Sequence, residues 1–256
     1  MTNLLSVEEL KATVLPALFA NTGELSSYGA ASSGADSLTK ISDLMESGAV
    51  SSLAAKIQEI VAKLADADPR RIAKPPTWLE RLAGKHVERQ VRYEVARRDL
   101  DELLAESEAN AQRVRDTVHA LDQMIQGHAV ETSNLNAYIQ AGREYLDENP
   151  EAGAIQSGAV EFERTRERFA RKLANLATLL TSLEMSAAQM KLARAQAVDM
   201  LDRFSETATI LVPIWRRHTL ALIQTKHMSP AMVAEATNAH QALIRSLTKS
   251  LDGMEH

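Results

Sequence analysis

From Leu100 onward, apolar residues recur at alternating steps of four and three, and this spacing constrains the fold more than any other feature. The series runs through 100, 104, 107, 111, 114, 118, 121, 125, 128, 132, 135, 139, 142 and 146, broken only by Ser107, His128, Thr132 and Gly142. A second series starts at Phe162 and passes through Phe169, Leu173, Leu176, Leu180, Leu183, Met190, Leu201, Phe204, Leu211 and Trp215 to Leu222. Its breaks are Arg166, Arg194 and His218. A sustained 3.5-residue period keeps one stripe of a helix against a partner helix, whereas a strand needs a period of two. Asn149-Pro150 and Gly153 stop the first helix. The connection, 149–158, is short enough to force the second helix back along the first. The spacing therefore predicts an all-α fold, a long antiparallel helical hairpin of coiled-coil type with a helical bundle at its base.

The remaining chain reads as shorter helices. Forty alanines against ten glycines and seven prolines favour helix throughout. Residues 1–76 are expected to form N-terminal helices that pack on the base, 77–228 the hairpin, and 229–256 a C-terminal helix. Ser6 and Glu9 have the spacing of a capping box, as do Thr77 and Glu80. Pro16 should bend or shorten the first helix, and 26–35 reads as a small-residue linker. Leu53, Ile57, Ile60, Val61 and Leu64 form one helix face, and Ser229-Pro230 an N-cap and first turn. Pro213 lies inside the second heptad series, where its ring predicts a kink near 209–213.

Charge is segregated along the chain. Residues 1–68 carry −5, 69–98 carry +6, 99–151 carry −9 and 152–256 carry +3, within a total of −5. Lys85, Arg89 and Arg92 lie early on the first long helix, and the hairpin register places Arg216 and Arg217 opposite residues 89 and 90. These five form the candidate anion- or partner-binding set, because converging guanidinium forks suit carboxylate, phosphate or oxyanions. The competing explanation is pairing with Glu46, Glu59, Asp66 and Asp68 of the N-terminal helices. A second basic run, 164–172, is expected to pair across the hairpin with Glu131, Glu144, Asp147 and Glu148.

Several chemistries lack their residues. The chain has no cysteine, so thiolate metal sites and thiol redox chemistry are excluded. The seven histidines show no i, i+4 pair and no His-Glu-x-x-His, and no Gly-rich phosphate loop or nucleophile elbow occurs. No catalytic residue, metal ligand or cofactor is therefore assigned. The longest uncharged run, Ala12 to Gly23, is shorter than a bilayer span, and the first residues show no signal peptide. A cytoplasmic chain is expected, with peripheral attachment at the inner membrane surface as a variant of that expectation.

Five segments, taken in order, resemble the TelA/KlaA-type toxic-anion (tellurite) resistance proteins. They are Trp78-Leu-Glu-Arg-Leu-Ala-Gly-Lys85, Ser133-Asn-Leu-Asn-Ala-Tyr-Ile-Gln-Ala-Gly142, Phe162-Glu-Arg164, Gln189-Met-Lys191 and Val212-Pro-Ile-Trp-Arg216. The similarity covers roughly residues 26 to 247. Leu135, Asn136, Tyr138, Gly142, Gln189, Pro213 and Trp215 are its structural motif. The resemblance implies survival of tellurite and related stresses and brings no catalytic residues. Two functions follow. One is a non-enzymatic scaffold or adaptor whose basic end meets an acidic protein or membrane surface, with no specific nucleic acid. The alternative is a direct oxyanion binder, or an enzyme, with its site at that end. The seam leaves the homo-oligomeric state open.

Overall fold

The computed structural model describes residues 5–30, 48–74, 89–153, 164–224 and 229–252, and among these every regular element is helical. In chain order these are α1 (Val7–Glu9), a π-helical turn (Leu10–Val14), α2 (Leu15–Ala20), a 3-10 turn (Thr22–Ser27), α3 (Ala49–Asp66) and α4 (Pro69–Ala73). The long helix α5 (Arg89–Glu148) follows, then α6 (Thr165–Glu206), a second π-helical turn (Thr207–Leu211), α7 (Val212–Gln224) and α8 (Pro230–Asp252). Every described position of both heptad series is buried or half-buried, the polar breaks included. The sequence spacing was therefore reading a real seam. The chain divides into two compact units, residues 1–46 with 119–194, and residues 47–118 with 195–256.

In the first unit, α5 and α6 run antiparallel. Asp122 pairs with Arg194, and Gly142 lies against Leu173 and Phe169. The core combines Leu135, Ile139, Phe169, Leu173, Leu176 and Leu183 with Leu10, Leu15, Leu18, Leu25 and Tyr28. Residues 5–30 thus belong with the hairpin turn, which corrects the expectation that all the N-terminal helices gather on the base. The linker reading also fails at Tyr28, which is buried and donates its hydroxyl proton to the Tyr138 carbonyl at 2.8 Å. Its ring packs edge-on to Tyr138 and Phe169 at about 5 Å. A Cβ on Gly142 would lie 2.5 Å from a Leu173 methyl, so the glycine is what lets the two helices approach here.

The turn of the hairpin is tied by side chains. Arg166 donates to the Asn149 and Leu146 carbonyls at 2.9 and 2.7 Å, satisfying acceptors that the end of α5 leaves open. Among the described residues Arg166, Arg168, Arg171 and Lys172 form no ion pair with the acidic end of α5. Instead Lys11 reaches Glu144 and Glu148 at 3.1 and 2.5 Å. These two carboxylates hold the Lys11 ammonium above its ordinary range. The Ser6–Glu9 capping box forms as its spacing required, whereas Thr77–Glu80 lies outside the described residues.

In the second unit, Leu53, Ile57, Ile60, Val61 and Leu64 of α3 pack with Tyr93, Leu100, Ala111 and Val114 of α5. Ala197, Met200 and Phe204 of α6, and Val212 and Trp215 of α7, close the same core. Ser229 caps α8 by accepting the Met232 N–H at 3.3 Å.

Pro16 and Pro213 are accommodated by the same device. Two residues before each proline a five-residue π-helical turn ends, and the residue just before the proline donates five residues back, Leu15 to Leu10 and Val212 to Thr207. The wider turn opens the helix where a proline ring would meet the carbonyl four residues earlier. Both prolines sit on the exposed side, where water can take up the carbonyl that loses its donor.

Candidate partner-binding site

The site lies in the second unit and is built from the end of α3, the short α4 and the first turns of α5. α3 stops at Asp66 because Asp68-Pro69 cannot continue it, and α4 starts on that proline. The exposed carbonyls this leaves are taken up by side chains. Trp215, fully buried, donates its indole N–H to the Ala67 carbonyl at 2.8 Å and stacks on Tyr93 with ring centroids 5.7 Å apart. His240 of α8 bonds the Leu64 carbonyl at 2.9 Å. Burial lowers the His240 pKa, against smaller opposing effects of that bond and of Asp68. The ring is neutral at pH 7, with Nε2–H as the donor.

Arg92 performs the same task at the end of α4, donating to the Arg71 and Lys74 carbonyls at 3.0 and 2.6 Å. It is a positioning residue that fixes α4 to α5, not an open anion ligand. Arg216 is engaged too. Its guanidinium pairs with Asp101, so the register places an acid, rather than residues 89 and 90, at its tip. The expected convergence of Arg89 with Arg216 is corrected accordingly. The pattern of Tyr93 on Trp215 preserves the antiparallel sense, and the long arginine side chain reaches further along α5 than the counted register allowed.

Arg217 is exposed and Arg89 half-buried, and neither forms an ion pair among the described residues. Lys85 lies outside the described residues. Of the acids expected to neutralise the cluster, Glu46 lies outside the described residues and Glu59 pairs with Lys56, while acids on α5 itself meet two of its arginines. Arg97 pairs with Glu94 and Asp101, and Arg98 approaches Glu102 at 3.9 Å. Hydrogen bonding to Glu94 raises the Arg97 pKa further.

Between these groups opens a groove of about 490 Å³. Ala67, Ile72, Val95 and Ala96 supply an apolar lining, while Lys63, Arg71 and Arg92 stand with Asp66 and Asp99 around it. Lys63 and Asp99 pair at 3.1 Å. Val91 and Val95, one turn apart on α5, are about half exposed beside it. An apolar lining with separated charges of both signs suits a peptide-like surface. A small dianion needs several converging donors, and here Arg92 spends its donors on carbonyls while Arg97 and Arg216 are paired with carboxylates. Sequence reasoning missed Lys63, Arg71, Val95 and Asp99. The available signal was that Val91 and Val95 are apolar yet fall off the heptad series.

The motif residues divide between core and surface: Leu135, Gly142 and Trp215 are buried and Tyr138 half-buried, whereas Asn136, Gln189 and Pro213 are exposed. Among the described residues no group of three His, Asp or Glu could hold a metal ion, and no helix is long and apolar enough to cross a membrane.

Comparison with known proteins places these features in a family. Residues 18–251 match the family described as toxic anion resistance protein (TelA). The chain is also 66% identical over 249 residues, 97% of each chain, to the protein named KlaA of Escherichia coli. No solved structure matches it.

Proposed function

This chain belongs to the toxic anion resistance (TelA) family, and from that membership we propose that it serves resistance to toxic anions without catalysis, as a helical adaptor in the cytoplasm. The α3–α4–α5 groove receives an acidic segment of a protein partner. Its apolar lining takes apolar side chains, while Arg71 and the unpaired Arg217 and Arg89 attract the partner's carboxylates. One observation carries this reading: Arg92 and Arg216, which a direct oxyanion site would need, are committed to the Arg71 and Lys74 carbonyls and to Asp101.

Two measurements on the full chain test it. Titration calorimetry with tellurite is expected to give no saturable heat. Saturable heat abolished by Arg217→Ala would replace the adaptor with a direct oxyanion binder. In cells, Arg71→Glu combined with Arg217→Glu should lower resistance while leaving the helical circular-dichroism spectrum intact. Unchanged resistance in that folded variant removes the basic surface from the function.

A further inference from the structure

Along α6 a second stripe repeats the spacing of the seam but faces away from it. Ala174, Thr178, Thr181, Met185, Ala188 and Leu192 follow one another at steps of four and three, none is charged, and all six are exposed. Met185 and Leu192, at 62% and 61%, are the most exposed large apolar side chains among the described residues. The two threonines add to the apolar character. Their hydroxyls bond back to the Ala174 and Ala177 carbonyls at 3.1 and 3.2 Å, which leaves the methyl groups for outward contact. A helix meeting only water has no physical reason to repeat small and apolar residues at 3.5-residue intervals; a helix meeting another helix does.

The charges beside the stripe identify the partner. Glu184 and Lys191, one heptad apart, bracket Ala188 on its flank, and neither forms an ion pair among the described residues. Both also line a groove of about 600 Å³ with Ala187, Ala188, Thr132 and Asn136, open beside the stripe. We infer that this face is a homodimer interface, in which α6 packs antiparallel against α6 of a second copy with Ala188 near the two-fold axis. In that arrangement Glu184 meets the partner's Lys191 and Lys191 meets the partner's Glu184. Met185 lies beside the partner's Leu192, and the small Ala188 lets the two backbones approach. In the antiparallel arrangement the charged flanks of the two copies face each other and both contacts are of opposite sign. A parallel pairing puts those flanks on opposite sides and makes neither contact, so the charge pattern favours the antiparallel, self-complementary pairing.

Sedimentation equilibrium of the full chain at low salt tests the interface. The unmodified chain is expected to associate to a dimer. Glu184→Lys and Lys191→Glu should each weaken association by about tenfold or more, as like charges then face one another twice per dimer. An equimolar mixture of the two variants should recover it, because one chain then carries both positive charges and the other both negative. Since the chain has no cysteine, Ala188→Cys should also cross-link copies under mild oxidation, while Gly127→Cys, on the far side of α5, should not. A monomer at every concentration overturns the proposal. So does a dimer insensitive to both reversals, or a mixture that fails to recover; a stripe that binds only a helix of another protein would give the monomer result.

Discussion

The two units solve the same problem, two antiparallel helices closed by shorter ones, with different materials. In the first, closeness comes from absence of side chain. Gly142 lets α5 onto Leu173 and Phe169, and Gly29, at φ 69°, sits against Leu176. Rings of Phe19, Tyr28, Tyr138, Tyr145 and Phe169 fill the space around them. In the second, the helices are tied through backbone carbonyls exposed at the α3–α4 break, by Trp215, His240 and Arg92. A unit tied at a break keeps an opening there, and the groove lies at that break. The proposed docking groove thus sits where packing is interrupted, and the sharpest test is the residue that spans the interruption.

Trp215→Ala has the largest expected effect. It empties a fully buried indole site, worth roughly 3–5 kcal/mol, and strips the Ala67 carbonyl of its donor. Urea unfolding measures the loss. Amide exchange then asks whether it is local: protection should fall in α3 and α7 while 135–146 and 169–183 retain theirs. An equal fall in both would show one cooperative body and dissolve the contrast. Gly142→Ala is the counterpart in the first unit. The new methyl must displace the end of Leu173, a flexible group, so overpacking should cost about 1–3 kcal/mol. Combining it with Leu173→Ala should cost less than the two single changes together, because the second creates the room the first needs.

How much of this was legible in the sequence follows from the range of each interaction. The seam was legible because 3.5-residue spacing is a local property of a long helix, and the all-α hairpin follows from it. The placement of residues 5–30 was not, since the pairing of Lys11 with Glu144 and Glu148 spans more than 130 positions and nothing local marks it. The basic end was legible as a cluster of charge but not as chemistry. Whether Arg92 faces an anion or a carbonyl depends on where α4 ends in space. The prolines were legible as irregularities, while their accommodation by π-helical turns depends on bonding between Thr207 and Val212 that no residue type announces.

A smaller effect separates the units by pH. His240 has a lowered pKa in the folded chain because burial disfavours its charged form, with the His218 charge acting in the same direction and Asp68 against it. Unfolded chain therefore binds the proton first. Stability is full above the unfolded value of about 6.5 and declines as pH falls from there toward the lower folded value. Urea midpoints between pH 7.5 and 5.5 should fall for the wild type and flatten for His240→Gln, whose amide can still donate to Leu64. Identical slopes would remove His240 as the source.

The smallest expected effect has the opposite sign and tests the first unit's use of glycine. Gly127 lies in the interior of α5, exposed, and a Cβ added there would meet nothing within 4 Å. Glycine at such a position costs the helix backbone entropy without allowing any close approach. Gly127→Ala should therefore stabilise the chain by about 0.5–1 kcal/mol, read as a raised urea midpoint at unchanged slope. Set beside the loss expected for Gly142→Ala, the sign difference would assign the helix–helix approach to one glycine and not to glycine content. A destabilised Gly127→Ala would mean that something packs on that face, and the assignment of Gly142 as the contact glycine would lose its control.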